Sequence, residues 1–170
     1  MNVEINTAIS FIDVFIVIVL IWAIYKGFKR GPVVHALSLL VIVLGVAIFG
    51  SVSVKIADSI NQGLTSSVES LHYYIFAILF LITVWLSNFI SDKVEKSAGA
   101  KPKGILNIIL GILASSLKYI YLLSIFLLYF SQFDSTYNIV SSKEKRRSQL
   151  YEVVKNIAPE TIKTVNFLKD

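Results

Sequence analysis

The stretch ILNIILGILASSLKYIYLLSIFLLYF, residues 105–130, contains one charged residue, Lys118. As a helix rising 1.5 Å per residue it would be about 39 Å long, enough to cross the roughly 30 Å hydrocarbon core of a bilayer. Three further runs have the same character. Residues 33–49 hold His35 and Ser38 as their clearly polar members, and residues 73–86 continue to Ile90 through Ser87 and Asn88. Residues 11–24 are broken only by Asp13, and this run reaches spanning length when Ala8, Ile9 and Ser10 join it. Barrel strands would alternate apolar and polar residues with a period of two. Residues 39–44 are instead a continuous apolar block. The expected fold is therefore all-α: an integral membrane protein with four transmembrane helices, spanning about residues 8–25, 32–50, 73–90 and 105–130. These form a domain over 1–130, followed by an extramembrane helical tail over 131–170.

Composition supports that reading. Of 170 residues, 55% are hydrophobic and 16% charged, and the mean hydropathy is +0.72. Soluble domains have roughly 45–50% apolar and about 25% charged residues. A chain this short cannot bury such an excess in its own interior, because small domains leave much of their surface exposed. This composition argues against a soluble enzyme and against a disordered chain. The absence of cysteine excludes disulfides, thiolate metal sites and cysteine nucleophiles. Residues 1–10 carry Glu4 and no Lys or Arg, and the first run ends in Tyr25-Lys26-Gly27-Phe28, so it reads as a retained helix and not a signal peptide.

The connections give the orientation. Lys26 to Pro32 is a tight basic hairpin, with Pro32 suited to the first turn of the following helix. The link 91–104 carries Lys93, Lys96, Lys101 and Lys103, whereas the Ser-rich link 51–72 carries only Lys55. Cytoplasmic loops are enriched in Lys and Arg. The first and third connections are thus expected in the cytoplasm and both termini outside it. A tail cluster of Lys143, Lys145, Arg146 and Arg147 points the other way. The net charge of +5 reads as topology and contact with the lipid bilayer, not nucleic-acid binding, since no aromatic residues interleave with the basic ones in a binding pattern.

No catalytic pattern is visible. His35 and His72 lie in different segments without metal-protease spacing, and no nucleophile elbow or phosphate-binding glycine loop occurs. The expectation is no enzyme, no cofactor and no metal. Two charges stand where lipid penalises them, Asp13 in the first helix and Lys118 in the fourth. Intramembrane ionisable groups face the bundle interior and pair. Asp13 and Lys118 lie about 18 Å and 20 Å from the basic ends of their helices at 1.5 Å per residue, so an intramembrane charge pair is expected, serving either a relay or helix register. Asn107, Gly111, Ser115 (or Ala114) and Lys118 share one face of the fourth helix and read as a helix-packing or polar face. Gly45, Ser87 and Asn88 have the same character, and His35 reads as a polar anchor at the interface. In the tail, Leu150, Val153, Val154 and Ile157 form an apolar helical stripe, and Pro159 is expected to restart a second short helix carrying Ile162 and Val165.

Several of these residues together resemble the colicin V production protein (CvpA) family. They are Ile12-Asp13, the turn Gly27-Phe28-Lys29-Arg30-Gly31, and Ala36-Leu37-Ser38-Leu39. Leu106-Asn107, Leu110-Gly111 and Lys118 add to the likeness, as do Ser148-Gln149-Leu150-Tyr151 and Ala158-Pro159. The chain departs from the family at Val34-His35, where an Arg-Glu pair is usual, and at Asn107, usually acidic. The resemblance implies a four-span protein of the bacterial inner (cytoplasmic) membrane, linked to toxin production and envelope maintenance. With the packing faces and the tail, it suggests a non-catalytic protein that binds other membrane proteins or itself. The alternative is a small oligomeric transporter or channel working through Asp13 and Lys118.

Overall fold

The computed structural model describes residues 10–64, 68, 70–98, 104–137 and 139–167, with the side chains of 98, 133, 135–137 and 161–167 left aside. Among the described residues there are six helices and no strand: α1 (Phe11–Lys29), α2 (Pro32–Asn61), α3 (Leu71–Ala98), α4 (Ile105–Tyr137), α5 (Ser142–Arg147) and α6 (Tyr151–Phe167). Helices α1 to α4 are each long and apolar enough to cross a membrane.

The helices extend beyond the apolar runs. Residues 51–61, expected in a loop, continue α2, and Lys93 and Lys96 lie on α3. Hydropathy marks the lipid-embedded part of a helix and not its end. Local hydrogen bonds from Ser53 to the Gly50 carbonyl (2.8 Å) and from Ser59 to the Lys55 carbonyl (2.9 Å) let serines remain helical there. The basic hairpin is tight as expected, with only Arg30 and Gly31 between α1 and α2 and Pro32 opening α2. Gly104 precedes α4 with a φ of 86°, a left-handed conformation that glycine adopts without steric cost.

The chain divides into two compact units. One comprises residues 26–118; the other comprises residues 1–25 together with 119–170. In the first, α2 and α3 run antiparallel, with Ser38 against Ser87 and Gly45 against Thr83. In the second, Ile12 and Ile16 of α1, Leu123 and Leu127 of α4, and Tyr151 and Val154 of α6 form the core.

Within this unit the tail helix α6 packs on α1 and α4. Its buried face is Tyr151, Val154 and Ala158, with Leu150 partly buried, while Val153 is 64% exposed. The apolar stripe is thus rotated from the one expected. Nor does Pro159 start a new helix; it lies inside α6. The Ile162 and Val165 side chains lie outside the described residues.

Candidate functional site

Lipid is as apolar as leucine, so helices in a bilayer associate through close backbone approach and interhelical hydrogen bonds. The unit of residues 26–118 uses both. A Cβ on Gly27 would stand 2.5 Å from the Gly111 carbonyl oxygen, and one on Gly111 would stand 2.5 Å from that of Gly27 and 2.9 Å from that of Arg30. The end of α1 and the first turns of α4 therefore meet backbone to backbone. Gly45 receives the Thr83 side chain in the same way, and a Cβ there would collide with the threonine methyl. Around these contacts lies a polar seam. The Ser87 hydroxyl is 2.5 Å from that of Ser38 and 3.1 Å from the Ser38 carbonyl. Ser91 donates to the Ser87 carbonyl (2.8 Å), and Ser38, Ser87, Ser91 and Ser115 are all buried.

Lys118 is buried in the same unit, and its Nζ donates to Asn88 Oδ1 (3.3 Å). His35, expected at the membrane surface, is only 3% exposed. Its Nε2 lies 3.3 Å from the Lys26 carbonyl, while Nδ1 is buried without a hydrogen-bond partner. The turn residues divide their tasks. Gly27 makes the backbone approach, Arg30 pairs with Asp92 and Glu95 (3.0 Å each), and Gly31 is the extended residue capping α2. Phe28 and Lys29 face outward. On α4, Gly111, Ser115 and Lys118 form the buried face, whereas Asn107 is exposed.

Asp13 is placed by the other unit. Its carboxylate accepts the Ser148 hydroxyl (2.5 Å), the Leu150 amide (3.1 Å) and the Gln149 amide (3.3 Å). The Ser148 hydroxyl in turn accepts the Tyr151 amide (3.0 Å). Amides at the start of a helix lack intrahelical partners and carry partial positive charge. A carboxylate from α1 thus caps the start of α6. Both Asp13 oxygens are occupied in this way, and Lys118 bonds Asn88 within its own unit.

The contacts of three residues, Ser124, Ser10 and Asp134, were missed in the sequence. Ser124 donates to the Lys155 carbonyl (3.0 Å) and accepts the Ala158 amide (2.8 Å). Ser10 donates to Glu144 Oε2 (3.1 Å). Asp134, 2% exposed, accepts the Val140 amide (2.6 Å) and pairs with Lys145, which holds its carboxyl below the usual aspartate range. The available signal was an isolated serine or acid in an apolar run, which does not name its partner.

Such an arrangement of four long apolar helices, two of them backbone to backbone at glycine, defines a multi-pass helical membrane protein. The family model for the colicin V production protein matches residues 12–159, and the chain belongs to that family. No curated protein and no solved structure matches it significantly. The matched segment takes in the Asp13 cap, the glycine contact and Pro159 of α6.

Proposed function

We propose that this protein is a non-catalytic component of the bacterial inner membrane that supports toxin production or export and envelope maintenance by binding other membrane proteins. The observation that carries the reading is the presentation of α6. Asp13 holds its start and Ser124 its middle, while Glu152, Val153, Asn156 and Glu160 face outward. A helix already fixed in place loses less conformational freedom when a partner docks. Family membership supports the link to toxin production.

The same contacts, with the charge of the short loops, support an orientation with both termini outside the cytoplasm. Ser10 bonds Glu144 and Asp13 bonds Ser148, so the beginning of α1 and the beginning of the tail share a side. Placing the tail's basic cluster in the cytoplasm would put the Lys26–Arg30 turn outside, against the charge preference of short loops. This favours the reading with both termini outside the cytoplasm. Because the chain has no cysteine, single cysteines at Lys29 and Gln149 probed with a membrane-impermeant maleimide test this cleanly. Labelling of intact cells at position 29 but not 149 overturns it.

The binding reading is tested by purifying the full chain at native expression in mild detergent, beside Val153→Arg and Asn156→Arg variants. Co-purifying membrane proteins that are lost from both variants support it. A bare monomer from the wild type, or partners unchanged by both substitutions, refutes it.

A further inference from the structure

The short helix α5 is fastened to the membrane helices of its unit from two sides. Ser10, the residue before α1, donates to Glu144 Oε2 (3.1 Å). Asp134, near the end of α4, pairs with Lys145 and accepts the Val140 amide. The 19 residues of α1 rise about 28 Å, close to the roughly 30 Å thickness of a hydrocarbon core. With α1 spanning the bilayer, Ser10 stands where the helix leaves the core. Its bond to Glu144 therefore holds α5 at the depth of lipid headgroups.

The charges around α5 do not balance. Glu144 takes Arg147 (3.2 Å) as well as Ser10, and Asp134 takes Lys145. Lys143 and Arg146 are left exposed, and among the described residues neither side chain has an acidic partner. They are three residues apart in one helix, so their side chains are neighbours on its surface. Two large apolar side chains lie more than half exposed beside the fastening points. They are Phe11, next to Ser10 in the chain, and Ile139, next to Val140. Cations that reach phosphate and apolar groups that enter the acyl boundary together make an interfacial lipid contact. That pairing, at that depth, favours lipid over an acidic protein.

We propose that Lys143 and Arg146 form a docking surface for anionic phospholipid headgroups, with Phe11 and Ile139 seated in the adjoining acyl region. The phosphate oxygens accept from the ammonium and the guanidinium, and the planar fork of Arg146 can hold two of them at once. A zwitterionic headgroup presents the same phosphate beside a cation of its own, so it gains less from this surface. The contact needs no protein partner and is the same for either orientation of the termini.

The chain has no cysteine, so a fluorophore attached through Ser142→Cys reports only on lipid beside α5. The labelled full-length protein is placed in nanodiscs of phosphatidylcholine and phosphatidylglycerol, with one lipid or the other brominated on its acyl chains. Quenching then gives the local preference. Each cation is expected to favour phosphatidylglycerol about fivefold near physiological salt, and 1 M salt to screen most of that. Lys143→Gln and Arg146→Gln should each lose about that factor, the two together the whole preference, and Lys143→Arg none of it. Both positions are exposed, so melting temperatures should not move, and either single variant decides the matter if the double one does not fold. Equal quenching by the two lipids in the labelled chain, or a preference that survives in the folded double variant, overturns the proposal. So does an acidic protein that co-purifies with the wild type and is lost from the double variant while no lipid preference is seen.

Discussion

The Ser124 hydroxyl donates to the Lys155 carbonyl, the one acceptor in α6 that Pro159, four residues on, cannot serve because it has no amide hydrogen. The same oxygen accepts the amide of Ala158. One side chain of α4 thus repairs the proline gap and fastens α6 at the same point. This explains why the helix continues where the sequence suggested a break.

Ser124→Ala should lower the unfolding free energy by about 1–3 kcal/mol, the cost of a buried backbone group left unsatisfied. Adding Pro159→Ala should recover most of that loss, because alanine supplies the missing amide. A double-mutant cycle by thermal unfolding in detergent measures the coupling. Simple additivity would show that the Ser124 bridge does not compensate for the proline.

Asp13→Ala should cost about 1 kcal/mol, as loss of a helix cap and of a charge at a helix N-terminus does. The effect should be local. Hydrogen exchange at the Leu150 and Tyr151 amides should accelerate, with exchange across Ser38 to Val46 unchanged. Uniform acceleration, or none, would contradict the capping role.

Gly111→Ala should be costly, since its Cβ would meet two carbonyl oxygens that cannot rotate away. Overpacking of this kind typically costs about 1–3 kcal/mol, and more where backbone must shift. Gly50→Ala is the matched control, with nothing within 4 Å of its Cβ, and should stabilise α2 by roughly 0.5–1 kcal/mol. Folded yield and melting temperature of the two variants should move in opposite directions.

Lys145 and the Val140 amide hold the Asp134 carboxyl below its ordinary value of 3.8. A carboxyl depressed in the folded state adds stability that is fully present above its unfolded pKa and is lost as pH falls through the folded one. The contribution of Asp134 should therefore vanish in the acid range below about pH 4. Melting curves of the wild type and Asp134→Asn should converge there and diverge toward neutrality. Curves that run parallel across that range would rule out the contribution.

Three of the four spans were legible from the length of their apolar runs, and the first, whose run is short, gains its length in α1 by continuing to Lys29. Gly111, Ser115 and Lys118 were legible as one face because helical spacing fixes which residues align. Asp13 was legible as a residue requiring a partner, but its partners include the backbone amides of Gln149 and Leu150. Amides are present at almost every residue and leave no mark in the sequence. The tail stripe was misplaced at Val153 for a related reason: Tyr151 and Ala158 read as ordinary tail residues until Ile16 and Leu127 surround that face. Helix ends were illegible where serines bond back to their own turn, since hydropathy there already reads as loop.

The contact of Gly27 with Gly111 also bears on how the chain is made. Gly27 leaves the ribosome with the first hairpin, and Gly111 follows only after α2 and α3 have been synthesised. Until then the backbone at Gly27 lacks the helix that packs on it, so this close contact can form only after the first three helices have been made.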